Sequence, residues 1–344
     1  MKTVIERGKE EGRRKKVGPR PSSSLLLPSS CSDALQRATV VLANTDSARL
    51  TAEALLAHVL GISRTQLLSR PEHIVLPDLL ADYETLVARA AAGEPLAYLT
   101  GHREFCGLDF RVGARVLVPR PETELLVELA LKFTAELAED ANGIGRGVQL
   151  PAPEPQAQAA KRAPAEMNIL DVGTGSGCIA VTLAVRLPSA RITALDISAD
   201  ALALARLNAQ RHSVADRVTF VQSDLLSNLQ PRSTSLRGQL SPITNYHLLL
   251  ANLPYIPSDD FRRLPVAKHE PALALDGGPD GLDLIRRLLA DAPRVMVPHG
   301  RLLLEINDEK SAEAFDLARA AFPAAHVEIH KDLAGLDRMI AISL

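Results

Sequence analysis

The sequence of 344 residues has no tryptophan, only four tyrosines and seven phenylalanines, and just three cysteines. Each scarcity narrows what the chain can be. Cys31, Cys106 and Cys178 are far apart, which fits neither a disulfide framework nor a zinc site with its close ligand pairs. A reducing compartment is the simpler reading, and no metal is expected. Neither sign of charge dominates: 39 basic against 41 acidic residues leave a formal net charge of -2, so no global pull toward nucleic acid or anionic lipid exists. No uninterrupted apolar run approaches the roughly 20 residues needed to span a bilayer, so a soluble protein without a membrane partner is expected.

The composition shifts along the chain mark its organisation. Residues 1 to 31 begin with a basic stretch (Lys2, Arg7, Lys9, Arg13, Arg14, Lys15, Lys16, Arg20) and continue through Pro21 into serines. They read as a disordered arm or a wrongly chosen start. Glu6, Glu10 and Glu11 are unlike an acid-poor transit peptide. A cytoplasmic location follows, with the mitochondrial matrix as the alternative. Residues 32 to 100 read as a small helical domain, with Leu50, Ala54, Leu55 and Val59 spaced to line one face, Asp46 or Ser47 as N-cap, and a further helix opening at Pro77. Alternation of Phe105, Leu108, Phe110, Val112, Val116 and Val118, broken by Gly107 and Gly113, predicts a connecting β-hairpin within 101 to 120.

From 121 to 344 short apolar runs alternate with helical patterns. Pro121 suits a first helical turn. The runs are Asn168 to Val172, Arg191 to Asp196, Arg217 to Val221, Leu248 to Asn252 and Arg301 to Ile306. Such alternation predicts an α/β, doubly wound, mostly parallel sheet. Pro- and Gly-rich residues at about 138 to 166 and 230 to 244 read as loop insertions.

A Gly-rich turn follows the first of these runs: Gly173-Thr174-Gly175-Ser176-Gly177. The glycines permit a tight turn and close approach of a ligand to the backbone, and the helix start offers free amides. Nicotinamide and flavin enzymes use a related turn, so it is weak evidence alone. Asp196, ending the next run about 20 residues on, would accept hydrogen bonds from ribose hydroxyls. Its alternative is to cap the helix beginning near Ser198. After the third run, Asp224 could meet an adenine amino group and Leu225 could pack on its ring, or they are a turn aspartate and a core leucine. Cys178 reads as a packing residue.

Asn252-Leu253-Pro254-Tyr255 ends the fourth run, at the edge where open α/β sheets bind ligands. The Asn252 oxygen and the carbonyl of Leu253 can accept the two hydrogens of a planar NH2 group. Pro254 stiffens the loop, and Tyr255 offers a ring face for stacking. An amide or exocyclic amino nitrogen is a poor nucleophile that becomes transiently positive as it attacks a sulfonium methyl. Acceptors on its hydrogens stabilise that charge, and alignment supplies the proximity term, so no strong base is needed. An ordinary turn is the bland alternative for the quartet.

Together these residues resemble the release-factor glutamine N5-methyltransferase family, which modifies the glutamine of the Gly-Gly-Gln loop in peptide chain release factors. The resemblance runs from about Ser32 to the C-terminus. It includes Gly101-His102-Arg103-Glu104-Phe105, Leu117 to Glu124, the Gly-rich turn, the Asn252 quartet, His269-Glu270-Pro271, Leu275-Asp276-Gly277-Gly278, and Lys331 to Arg338. It implies a seven-stranded class I methyltransferase sheet and S-adenosyl-L-methionine as cofactor, held by Gly173 to Gly177, Asp196, Asp224, Leu225 and Asn252. Asn252, Pro254 and Tyr255 would be catalytic. Asn252 to Tyr255 would hold the glutamine, with Arg120, Glu122 and Thr123 at the border of the site or, alternatively, capping the Pro121 helix. Release factors would be the protein partners, bound with help from the helical domain. The chain departs from the family at Leu253, where many relatives have proline, at Leu225, where some have an aromatic, and in its two long loops.

Three other readings compete. A DNA or RNA adenine N6-methyltransferase would also offer a planar NH2 group, but it must grip phosphates and bases, and aromatics make up only 3% of this near-neutral chain. No direct nucleic-acid contact is expected. A non-catalytic binding module would leave the intact turn and quartet without a purpose, as a nicotinamide oxidoreductase would the quartet.

Overall fold

The computed structural model describes residues 29–141, 167–229 and 246–344. Most of the expected N-terminal arm and of the two insertions lies outside them. Where the described residues overlap those stretches they are ordered: Ser29–Ser30 form strand β1, and 138–141 continue a helix. The chain divides into two compact units, with the boundary between Ala91 and Ala92.

The first unit holds helices α1 (Cys31–Val41), α2 (Ala48–Leu60), α3 (Arg64–Leu68) and α4 (Pro77–Ala91), and β1 pairs antiparallel with β2 (Ile74–Val75). In α4, Leu80, Tyr83, Val87 and Ala90 recur at helical spacing and are buried, and the Tyr83 hydroxyl donates to the Ala52 carbonyl at 3.1 Å. The predicted stripe on α2 is rotated. Leu50 is exposed and Ala54 and Val59 are half-buried, whereas Leu55 of the predicted stripe is buried together with Ala52 and Leu56. Glu53 is buried beside them and neutralised by Arg49 at 2.6 Å and Arg64 at 3.1 Å. Ser47 is the N-cap by position but makes no side-chain cap bond.

The second unit opens with α5 (Leu96–Thr100) and the hairpin β3 (His102–Phe105) to β4 (Leu108–Arg111). Cys106 and Gly107 form its two-residue turn with φ of 51° and 79°, the twist that suits a tight hairpin. The hairpin is shorter than the apolar alternation predicts: Val112, Val116 and Val118 are buried along an irregular segment. It belongs to this unit rather than standing as a separate connector. Asn208 binds it to the sheet domain, accepting from Arg111 N at 2.9 Å and donating to Arg111 O at 3.0 Å and Ser176 O at 2.8 Å. A 3-10 turn at Pro121–Thr123 then leads into α6 (Glu124–Ala141).

The remaining chain forms β5 (Met167–Val172), α7 (Cys178–Arg186), β6 (Ala190–Asp196), α8 (Ala199–Arg211), β7 (Val218–Gln222), β8 (Tyr246–Ala251), α9 (Ser258–Phe261), α10 (Asp283–Asp291), β9 (Met296–Glu305), α11 (Ser311–Ala321), β10 (His326–Lys331) and β11 (Asp337–Ser343). One seven-stranded sheet results, in the order β10-β11-β9-β8-β5-β6-β7. The five strands from β7 to β9 are parallel, and β11 runs antiparallel to both its neighbours. Alternate side chains feed two apolar layers. Ile169, Leu250 and Leu303 pack toward α6 and α7, while Leu170, Leu249 and Leu304 pack toward α10 and α11.

Strand order reverses at β5, so a crevice opens between the carboxyl ends of β5 and β8. Register aligns what lies there. Leu195 pairs with Val172, Val172 with Ala251, and Ala251 with Leu304. One residue further along each strand stand Asp196, Gly173, Asn252 and Glu305, all at the same edge of the sheet.

Candidate active site

The turn after β5 is built around three left-handed glycines, Gly173, Gly175 and Gly177, at φ of 77°, 55° and 80°. At Gly177 a β-carbon would stand 3.0 Å from that of Ala205, so a larger residue would force α7 and α8 apart. Asp171 anchors the turn from beneath: its Oδ2 accepts from the Thr174 hydroxyl at 2.6 Å and from Ala180 N at 3.2 Å. Its Oδ1 is buried without a partner among the described residues. Burial pushes this carboxyl up to about 7.

Asp196 holds the turn from above. Its Oδ2 accepts from Gly175 N at 2.8 Å and its Oδ1 from Ser198 N at 2.8 Å. Burial raises its pKa despite these bonds. The helix cap it might have supplied comes from Ser198, whose hydroxyl accepts from Ala201 N. Asp196 is therefore a brace for the Gly-rich turn, with lone pairs left over for a ligand.

A cavity of about 850 Å³ opens at this edge of the sheet. Gly173, Thr174, Gly175, Ser176 and Asp196 form one wall, and Asp224 and Leu225 another. Leu225 adopts φ 47°, an uncommon backbone for a branched residue and a mark of local strain. Asp224 Oδ2 accepts from Arg287 Nη2 at 2.7 Å, so only part of that carboxylate remains for a ligand. Gly177 lies behind the lining. Cys178 borders the cavity, but burial pushes its thiol up to about 12, which leaves it inert near neutrality.

Asn252, Leu253 and Pro254 face the cavity from the tip of β8, and Arg120 and Thr123 from the turn before α6. Two of the residues expected on the substrate side do not line it. Glu122 is exposed, because the tight turn that buries Thr123 sends the preceding side chain outward. Tyr255 is half-buried, and its hydroxyl donates to Glu305 Oε1 at 3.3 Å. Burial and the neighbouring Glu305 raise that phenol. Nor do Arg120, Glu122 and Thr123 cap the helix: Arg120 stands at the N-cap with no side-chain cap bond.

Thr123 instead meets Asn252. The Asn252 Nδ2 donates to Thr123 Oγ1 at 3.0 Å, and Thr123 Oγ1 donates to Glu305 Oε2 at 2.8 Å. Glu305 is not among the residues the sequence motifs single out, although a lone carboxylate ending the run Leu302-Leu303-Leu304 is a signal of the same kind as Asp196. Burial pushes it up to about 7, against the lowering effects of the Thr123 bond and Arg338.

The other motif stretches support this loop from behind. Ile256 N donates to Leu275 O at 3.0 Å and Gly277 N to Ile256 O at 2.8 Å. At Gly277 a β-carbon would fall 2.7 Å from Pro254 O and 2.8 Å from the Tyr255 Cα, so only glycine lets the two backbones meet. Glu270, buried, accepts from Val118 N at 3.1 Å and from Arg120 Nη2 at 2.5 Å, which joins His269-Glu270-Pro271 to the Arg120 segment.

A parallel doubly wound sheet with an antiparallel strand inserted beside its edge, and a Gly-rich turn at the switch point, is the class I methyltransferase fold. Residues 157–236 match a family model described as methyltransferase small domain, and residues 33–101 match the PrmC N-terminal domain. Among the relatives that carry the name release factor glutamine methyltransferase are three that cover most of the chain. That of Moorella thermoacetica is 40% identical over 84% of this chain and 89% of its own length. That of Nitratidesulfovibrio vulgaris is 39% identical over 87% and 89%, and that of Deinococcus radiodurans 37% identical over 90% and 96%. The chain belongs to the release factor glutamine methyltransferase family.

Proposed function

We propose that this protein transfers the methyl group of S-adenosyl-L-methionine to the side-chain amide nitrogen of the Gly-Gly-Gln glutamine in peptide chain release factors, in the cytoplasm. The observation that carries the reading is the orientation of Asn252. Its NH2 is committed to Thr123, so its oxygen is the end left to accept from a substrate NH2 group.

The residues around the turn fit the cofactor. The three left-handed glycines leave a cradle free of side chains, Asp171 holds a buried oxygen beneath it that has no partner among the described residues, and Asp196 borders it with spare lone pairs. Asp224 and Leu225 would flank the adenine. When bound, S-adenosyl-L-methionine supplies an electrophilic methyl on a sulfonium.

The chain's own groups would then hold the acceptor. Asn252 Oδ1 and the Leu253 carbonyl take the two hydrogens of the glutamine NH2 and stabilise the positive charge that develops on its nitrogen. Held there, the glutamine nitrogen would be aligned to take that methyl, the carbon–sulfur electron pair staying with sulfur, and would release its surplus proton to solvent. Because the acceptors work through lone pairs already in place, the reaction requires alignment more than a strong base. Tyr255, outside the cavity lining, would support the acceptor loop from behind through its hydroxyl bond to Glu305.

The test supplies methyl-labelled S-adenosyl-L-methionine with either a purified release factor or duplex DNA, and locates the label by mass spectrometry. Label on the glutamine is expected, and Asn252→Ala should abolish it while sparing the fold. Label on adenine alone would overturn the reading.

A further inference from the structure

Glu305 lies outside the cavity lining and forms no contact with the space where the reaction would occur, yet it is a carboxylate at 1% exposure beneath the acceptor loop. Its surroundings come from three elements: Thr123 and Glu122 from the 3-10 turn, Tyr255 from the loop after β8, and Arg338 from β11. Each of its oxygens is engaged, Oε2 by the Thr123 hydroxyl and Oε1 by the Tyr255 hydroxyl.

The direction of these bonds has a consequence for Asn252. An ionised carboxylate accepts and cannot donate. Thr123 has a single hydroxyl hydrogen, and with that hydrogen given to Glu305 its oxygen has only lone pairs to offer. Asn252 must then present its NH2 to Thr123, at 3.0 Å, and turn Oδ1 the other way. The two ends of a carboxamide are nearly the same size, so packing alone discriminates poorly between this orientation and its flip.

We propose that Glu305 is a positioning residue that sets the orientation of the Asn252 carboxamide through the Thr123 hydroxyl, so that an acceptor rather than a donor faces the methyl-accepting NH2 group. The proposal rests on the reading of Asn252 given above. A protonated Glu305 would donate to Thr123 and free the Thr123 hydrogen for Asn252 Oδ1. The NH2 of Asn252 would then swing toward the substrate NH2, donor against donor. Activity should therefore follow the ionised form of Glu305, whose burial keeps its titration near neutrality.

The test measures kcat, KM and their pH dependence for the wild type, Glu305→Gln, Thr123→Val, Thr123→Ser and Asn252→Ala, with S-adenosyl-L-methionine and a release factor. The wild type should lose kcat as pH falls below about 7. Glu305→Gln and Thr123→Val should lower kcat by about 10²–10³-fold, lack that acid limb, and leave the KM for S-adenosyl-L-methionine unchanged, while Thr123→Ser restores both rate and limb. If Glu305→Gln fails to fold, the Thr123 pair decides. Wild-type rates and pH profile in Thr123→Val or Glu305→Gln, with Asn252→Ala inactive, would overturn the relay and leave the methyl-transfer reading intact. An active Asn252→Ala would remove both.

Discussion

Cδ2 of Leu253 lies 3.1 Å from where a β-carbon on Gly173 would stand, so the Gly-rich turn and the Asn252 loop are packed against each other with no room between them. Gly173→Ala would meet this wall and also force a left-handed residue to carry a side chain, a strain of roughly 1–2 kcal/mol. We expect at least about a tenfold fall in kcat/KM and a lower Tm. Adding Leu253→Ala should restore only part, since it opens space without relieving the backbone. Full recovery in the double variant would show that crowding alone was at work.

Asp196 braces the same turn with both oxygens accepting backbone amides at 2.8 Å. Asp196→Asn turns one acceptor into a donor, so one amide loses its partner. Hydrogen bonds to charged groups contribute roughly 1.5–3 kcal/mol, and titration calorimetry should show S-adenosyl-L-methionine binding weakened about 10- to 100-fold. Unchanged affinity would mean that the turn holds its shape without the carboxylate.

Asn208 is fully buried and satisfies Arg111 N, Arg111 O and Ser176 O at once. Asn208→Ala leaves three backbone groups without partners, and a cost of about 2–4 kcal/mol follows from roughly 1–3 kcal/mol for each buried unsatisfied group, less what water recovers. Urea unfolding of the full chain measures it. A midpoint equal to the wild type would show that the other contacts of the hairpin, among them Arg186 Nη2 to Cys106 O and His212 Nε2 to Asp109 O, hold it without Asn208.

Burial pushes Glu305 from 4.5 and Asp171 from 3.8 up to about 7. The folded state thus binds protons more tightly than the unfolded chain between about pH 4 and 7, so these groups stabilise fully below that window. Their contribution is lost as pH rises through about 7, and the cost of burying the charge is complete above it. Glu305→Gln should therefore raise stability at pH 8, by up to about 3 kcal/mol, and change it little at pH 5. The same substitution is expected to slow catalysis, an exchange of stability for activity. Stabilisation of equal size at both pH values would contradict the assigned titration.

Local properties of the chain were legible without a structure. Short apolar runs alternating with helical patterns, glycines at a spacing of two, and the polar residues Asp196 and Asn252 closing two of the runs identify the strands from β5 to β9, the turn at Gly173 and the tip at Asn252, because each depends only on near neighbours. What the tertiary structure alone decided are relationships across the chain: Thr123 with Glu305, 182 residues apart, Arg120 with Glu270, 150 apart, the inward face of α2, and the withdrawal of Tyr255 from the cavity lining. These follow from the register that sets Asp196, Gly173, Asn252 and Glu305 along one edge. Register is fixed by which apolar faces pack together, a condition that no single segment contains.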